Sequence, residues 1–380
     1  MLQFSRFLPP PLSRQNLALT LMLIGWISAL AALVQPVAAA PTATPLPISP
    51  AGKDAAAPAI VVSAAGAIHV AWEQEGGIWC RSQRNGVWSD AVQVASEGEH
   101  PTLAAAPDEE TLYLAWSQEF GGNYEVFSRR WDAVDGWSAP KNVSSNDGGS
   151  SSPALAVSAD GQVHLIWADT SPGVSTLYHA VSSDGLSWPV ALPIADALGG
   201  NPAVVFADDG EMVVAWQHRA SFADKLRIWT ARYRNGAWTT PVALTDGSQH
   251  ALAPDLSANA RRLALVWQEG DRVKLAFWAN NAWQAAVTQP GLRPAVAITD
   301  AGLVQWDWET DNGLASQFGL AGWTSPAYWA QNSARSGDLA LAAHGQVISA
   351  VWMENQNGNN RIFHNSNAFA TINLPLLRKH

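Results

Sequence analysis

Seven times along the chain an apolar run ends in tryptophan and then turns polar. The runs are HVAW at Trp72, YLAW at Trp116, HLIW at Trp167, VVAW at Trp216, ALVW at Trp267, LVQW at Trp306 and SAVW at Trp352. The gaps are 44, 51, 49, 51, 39 and 46 residues. A period of about 40–50 residues belongs to a propeller blade or a solenoid unit, which buries its apolar face only against its neighbours. Stacked units form one continuous structure, so the 380 residues read as one folded body after the N-terminal segments, not as the two or three domains that length alone would suggest.

Between tryptophans the same four-strand parse recurs. Strand A begins at a proline (Pro58, Pro101, Pro153, Pro202, Pro254, Pro294), with Asp338 in the proline's place in the last unit. Proline is tolerated there because no ladder donor is lost. A turn-prone stretch such as AAG, ADG or DDG leads to strand B, which ends at the repeated tryptophan. Strand C is short and aromatic. Strand D starts at a second ring: Trp88, Trp137, Trp188, Trp238, Trp283 and Trp323, with Phe369 in the seventh unit. No segment after residue 40 holds a 3.6-residue period over three turns, so helix is not supported. Radial packing of four-stranded sheets buries their faces and leaves only short edges. The pattern predicts an all-β fold, a seven-bladed β-propeller of four-stranded antiparallel blades over residues 57–380. Six blades is the alternative, should the short sixth unit (293–328) be degenerate. An open solenoid fits less well, because its coils are shorter. The repeated rings are expected to fill the wedges between blades. Trp131, Trp308 and Trp329 lie outside the repeated positions and are candidates for stacking on sugar rings.

The N-terminus reads differently. Arg6 and Arg14 flank an apolar stretch from Leu17 to Val34, and Val37-Ala38-Ala39 offers small residues for cleavage, so residues 1–39 read as a signal peptide. The alternative is an uncleaved anchor, since 18 apolar residues approach a spanning length. Residues 40–56, rich in Pro, Ala and Thr, read as an extended spacer. The expected location is outside the cell, secreted or on the cell surface, with no membrane contact once the signal is cleaved. Cys80 is the only cysteine, so no internal disulfide forms, and its apolar setting reads as a small core residue. The formal charge is −10, and it becomes −12 without Arg6 and Arg14. No basic stripe is present, which argues against nucleic acid.

Topology places any site. In an antiparallel blade the start of strand A and the end of strand B share one face beside the axis. That face collects the residues before each proline (Ala57, His100, Ser152, Asn201, Ala253, Arg293) and those just after each tryptophan. The candidate ligand-binding residues are therefore His100, Asn201, His218, Arg219, Gln268, Glu269, Arg293, Asp307, Trp308, Glu309 and Glu354. The competing reading is that these polar groups cap strand ends and line a wet channel, and their repetition favours it. Asp307, Glu309 and Asp311, ahead of Gly313 in DWETDNG, loosely resemble an oxygen-rich calcium loop, but the spacing departs from the usual pattern. No cofactor or metal is expected, calcium at that loop being the one exception left open. Asn142-Val143-Ser144 is a glycosylation sequon by letter.

At residues 182–188 the chain reads SSDGLSW. This resembles an Asp-box, the S-x-D-x-G-x-T-W turn of sialidase-like (BNR-repeat) propellers, with Ser182, Asp184 and Trp188 present and the spacing one residue short. The resemblance implies the fold over residues 57–375. It does not carry activity, because that turn lies away from catalysis in the family. Sialidases also need three arginines on a carboxylate, a tyrosine beside a glutamate, and an acid/base aspartate. The Arg-Ile-Pro motif is absent here and Leu292-Arg293-Pro294 only echoes it. The available arginines are Arg219, Arg293 and Arg335, and Tyr328 has no neighbouring glutamate. A generic glycosidase needs only two carboxylates about 5–10 Å apart. The function expected is an exported, non-catalytic recognition propeller that binds a glycan or an extracellular protein at the axial loop face. The alternatives are an extracellular glycoside hydrolase, sialidase-like or otherwise, using carboxylates of the same face, and a purely structural surface protein.

Overall fold

The computed structural model describes residues 44–368, apart from 109, 172, 196–197, 321 and 329–335. The signal segment, Trp329, Arg335 and Phe369 lie outside the described residues. Seven antiparallel sheets follow one another along the chain, each ordered A-B-C-D from its inner strand outward. The inner strands are Ala55–Val62, Glu99–Ala105, Ser150–Val157, Leu198–Phe206, Ala251–Asn259, Leu292–Ile298 and Ser336–His344. Each touches the next and the last touches the first, so the ring closes. The sixth unit is a full blade, with strands Leu292–Ile298, Val304–Thr310, Gly313–Gly319 and Ala327–Tyr328. Seven blades stand, and no helix occurs among the described residues.

The repeated tryptophans fill the wedges. Trp72, Trp116, Trp167, Trp216 and Trp352 are each at most 1% exposed. Each sits in an apolar cluster shared with the preceding blade: Trp116 with Ala71 and Ile78, Trp167 with Ala115 and Val126, Trp216 with Ile166 and Leu177. Burying one such ring removes about 150–250 Å² from water, roughly 4–6 kcal/mol of transfer free energy before ordering entropy is charged. The second set fills the outer part of the same wedges. Trp188 and Trp283 reach back to donate Nε1–H to Ser128 Oγ (3.0 Å) and Thr230 Oγ1 (3.3 Å) of the preceding blade.

The tryptophan ruler slips at one blade. In every other blade the residue after the tryptophan pairs with the residue two before the proline position: Ala56 with Glu73, Glu99 with Ser117, Leu252 with Gln268. In blade 6 Leu292 pairs with Glu309. The repeated ring there is Trp308, and Trp306 takes the place of Val70 and Leu114 two residues earlier. Trp308 is 2% exposed, so it is a wedge ring and not a free platform. The last two gaps become 41 and 44 residues, closer to the others than 39 and 46.

All seven A strands carry a β-bulge at the same point, leaving two residues out of the ladder. The second is the proline, which has no N–H to lose. The first, which in six blades precedes the proline, has φ between 42° and 54° at Ala57, His100, Ser152, Asn201, Ala253, Arg293 and Asp338. Left-handed backbone is uncommon for such residues, so its sevenfold recurrence marks a built feature of the axial end. Asp338 therefore occupies the position before the proline, and Leu339 stands in the proline's place.

The segment read as a spacer is stitched into the ring over its described part. Leu46–Pro47 is the outermost strand of blade 7, with Leu46 opposite His364 and Pro47 opposite Phe363. Ile48 is 1% exposed, and its N–H donates to Ile362 O at 2.8 Å while Ile362 N–H donates to Ser49 Oγ at 2.9 Å. In the turn resembling an Asp-box, Asp184 Oδ1 accepts the N–H groups of Leu186 and Ser187, each at 2.8 Å, and Ser182 Oγ accepts Gly185 N–H at 2.9 Å.

Candidate functional site

The bulge creates an accounting problem at the axial mouth. The residue before each proline has an N–H outside the ladder, and a buried N–H needs an acceptor. In four blades the acceptor is the polar side chain just after the preceding blade's tryptophan. His100 N donates to Glu73 Oε1 (2.5 Å), Ser152 N to Ser117 Oγ (3.2 Å), Arg293 N to Gln268 Oε1 (3.2 Å) and Asp338 N to Glu309 Oε1 (3.1 Å). Blade 7 has Met353 at that position and cannot accept, and Asp338 Oδ2 instead takes Ala57 N–H at 3.3 Å. These side chains tie blade to blade.

The next residue along strand B is engaged too. It accepts the tryptophan's own indole N–H: Trp72 to Gln74 (3.0 Å), Trp116 to Gln118 (3.1 Å), Trp167 to Asp169 (3.1 Å), Trp267 to Glu269 (3.0 Å) and Trp352 to Glu354 (3.1 Å). Glu269 also meets Lys274 Nζ at 2.9 Å. Gln268, Glu269 and Glu354 are thus structural acceptors.

Four charged groups converge around blades 6, 7 and 1. Arg293 grips Glu309 with Nε to Oε1 at 2.7 Å and Nη2 to Oε2 at 2.5 Å, a two-pronged contact. Burial holds the Glu309 carboxyl above its ordinary range despite the arginine, and the Glu309 bond holds Arg293 up in turn. Burial likewise raises Glu73, against the His100 N–H that pulls it down. Inside this mouth lies a cavity of about 380 Å³ whose wall includes Pro58, Thr102, Asp255, Arg293, Asp338 and Leu339. Burial pushes the Asp255 carboxyl up to about 6, although it accepts Val296 N–H and Leu256 N–H, each at 2.9 Å.

The remaining candidates separate. His100 is exposed, with its ring 3.7 Å from Glu99. Asn201 is exposed, and its Oδ1 accepts Ser152 Oγ–H at 3.0 Å. His218 is half-buried against the Trp229 ring (centroids 4.6 Å apart), and burial lowers its pKa. Arg219 lies over the Phe222 ring at 4.6 Å, in the 220–226 loop of blade 4. Asp307 does not face the mouth. It is 1% exposed and accepts Ser316 Oγ–H (2.5 Å) and Gln305 Nε2–H (3.0 Å) inside the blade. The DWETDNG segment is the end of strand B (Val304–Thr310) and a hairpin, not a loop. Asp307 is buried inside the blade, Glu309 is held by Arg293 and Asp311 lies in the exposed turn, so the three do not converge on one point.

The structure adds residues outside the candidate ligand-binding set. Asp338 joins the axial ring, and Glu73 its carboxylates. Phe120 (57% exposed) ends strand B and Tyr124 (41%) lies at the start of strand C in blade 2, and Phe222 (76%) stands in the B–C connection of blade 4, all on the axial face. Phe120 sits four residues after Trp116, one step beyond the polar stretch that the sequence pattern singles out.

No family model matches this sequence, and no curated relative matches it. Solved structures do. An ulvan lyase, a polysaccharide lyase bound to a GlcA(1-4)Rha3S saccharide, superposes with TM-score 0.60 at 10% identity over 86% of this chain and 96% of that one. A protein of unknown function from Dyadobacter fermentans reaches 0.56 at 13% identity, covering 86% and 98%. A Trypanosoma rangeli sialidase reaches 0.50 at 10% identity, covering 73% and 56%. At such identities the likeness is one of fold, and the fold is a seven-bladed β-propeller.

Proposed function

We propose that the chain is an exported carbohydrate-recognition propeller that takes a glycan at the axial face. One observation carries this reading: the acidic groups of the axial ring are engaged in ties between and within blades, while the exposed groups around them are rings and donors. Glu73, Glu309 and Asp338 accept blade-to-blade N–H bonds, and Glu269 and Glu354 hold indoles. Phe120, Tyr124 and Phe222 offer ring faces. Arg293 offers polar atoms at the cavity wall, and His100 and Asn201 are exposed on the same face. Exposed rings and a few placed polar groups are the usual make-up of a ligand site. Fold neighbours that include a saccharide-bound lyase and a sialidase support a sugar as the ligand.

A second reading is a glycoside hydrolase. Glu73 and Glu309 favour it, because burial keeps both carboxyls above the ordinary range, as a general acid requires. One experiment addresses both. The purified protein is applied to a glycan array and incubated with chromogenic glycosides and a sialoside. Recognition predicts array binding that falls at least ~10-fold in Phe222→Ala, with no turnover. Turnover removed by Glu309→Gln in a folded protein would make the hydrolase reading correct. No array binding, with capture of a protein partner instead, would overturn the glycan.

A further inference from the structure

Trp131 belongs neither to the wedge rings nor to the axial face. It lies near the end of strand C of blade 2 (Asn123–Asp132), opposite Trp137 on strand D. That end of the blade is the face away from the axial loops. Here the structure holds a groove of about 420 Å³ between blades 1 and 2, whose wall includes Arg84, Trp88, Asp90, Val92, Trp131 and Trp137. Its rim carries Val87, 72% exposed, and Val92, 52% exposed.

The two arginines of the groove do different things. Arg81 is committed to the fold: Nε donates to Ser89 O (2.5 Å) and Nη1 to Ile48 O (2.9 Å). Arg84 is exposed and lies with its guanidinium carbon 5.8 Å from the Trp131 ring centre. No hydrogen bond or ion pair engages it among the described residues. A guanidinium steadied by a ring keeps its planar fork of five donors for something else. Asp90, exposed at the same wall, supplies acceptors.

We infer that this groove is a second saccharide site, distinct from the axial mouth, that takes a pyranose unit of a neutral oligosaccharide on Trp131. A sugar ring needs an aromatic surface for its C–H face and both donors and acceptors for its hydroxyls, and Arg84 with Asp90 provides that mixture. An apolar peptide would leave Arg84 and Asp90 desolvated without partners, which is costly. A polyanion would meet Asp90 and a chain of net charge −10.

The test uses the full exported chain and four probes: cellohexaose, mannohexaose, xylohexaose and hexagalacturonate. Binding is measured by calorimetry and saturation-transfer NMR for wild type, Trp131→Ala, Trp131→Phe, Arg84→Ala and Phe222→Ala. The expected result is a neutral hexasaccharide whose binding falls at least ~10-fold at this site in Trp131→Ala, falls less in Arg84→Ala and survives in Trp131→Phe, with the Trp131-dependent component kept in Phe222→Ala. Trp131→Phe keeps the ring, so it separates loss of a platform from loss of the fold. The inference is overturned if no probe binds wild type, or if Trp131→Ala binds like wild type. It is overturned as well if only hexagalacturonate binds and Arg84→Ala alone abolishes it. Binding lost in Phe222→Ala but not in Trp131→Ala would remove this site and leave the axial one standing.

Discussion

At the residue scale the most unusual group is Asp307. In the other blades its position holds Ala71, Ala115, Ile166, Ala215, Val266 and Val351, all buried and apolar. Burial pushes its carboxyl up to about 7, and the Ser316 and Gln305 bonds only partly oppose that. The folded state therefore keeps a proton that the unfolded chain releases near pH 4. With more protons bound in the folded state, stability falls as pH rises from about 4 to about 7 and is flat above that. Asp307→Asn is expected to stabilise the protein by up to ~4 kcal/mol at pH 8 and by little at pH 4. Urea unfolding of both proteins at the two pH values checks this, and an equal shift at both would refute it. The sequence misplaced Asp307 for a definite reason. In LVQWDWET two tryptophans stand two residues apart, so either fits the alternation of a strand. Choosing Trp306 put Asp307 at the axial mouth, and the register puts it one residue before the true wedge ring.

At the element scale the link from strand D to strand A resolves that ambiguity. Three blades have a glycine lying over the wedge ring: Gly98, Gly199 and Gly291, against Trp116, Trp216 and Trp308. Each glycine is three residues before its proline, and the proline-to-ring spacing, 13–15 residues in blades 1 to 5, would have aligned blade 6 on Trp308 at 14 and not on Trp306 at 12. Blade 7 lacks the proline, and for that reason Asp338 was placed one residue late. A Cβ on Gly291 would fall 2.2 Å from Trp308 Cδ1 and 2.6 Å from the Glu309 carbonyl oxygen, at φ 148°. Neither the backbone nor a fully packed ring can yield, so Gly291→Ala should cost about 2–4 kcal/mol. At Gly200 the nearest atom to a new Cβ is 3.8 Å away, and Gly200→Ala should be neutral within about 0.5 kcal/mol. Denaturant midpoints for the two variants decide, and equal effects would show that the wedge ring does not set this constraint.

At the scale of the whole molecule the blade count was legible and the closure was not. The count rests on rings repeated seven times, each needed because every wedge is equally wide. The closure rests on two residues, Leu46 and Pro47, inside a proline-rich stretch without periodicity, where nothing distinguishes a strand from a spacer. Physically the strap needs little pattern. It is an outer edge strand, so it pairs on one side only, and its affinity comes from Ile48, buried between the ends of the ring, and from bonds to the last strand C. Those bonds run from Ile48 N to Ile362 O, from Arg361 Nη2 to Ser49 O (2.8 Å) and from Asn360 N to Asp54 Oδ1 (2.7 Å). Arg81 of blade 1 holds Ile48 O from the other side, so the strap joins blade 7 to blade 1. A ring of blades gains cooperativity only if every joint is made, and this joint is the one made by residues far apart in sequence. Ile48→Ala is expected to cost about 2–4 kcal/mol. A chain beginning at Ala55 should lose amide protection first in Asn359–Ala368, while the matching strand of blade 4, Arg227–Arg234, stays protected. Hydrogen exchange on the two chains measures this directly, and protection unchanged across all blades would mean that the ring holds without its strap.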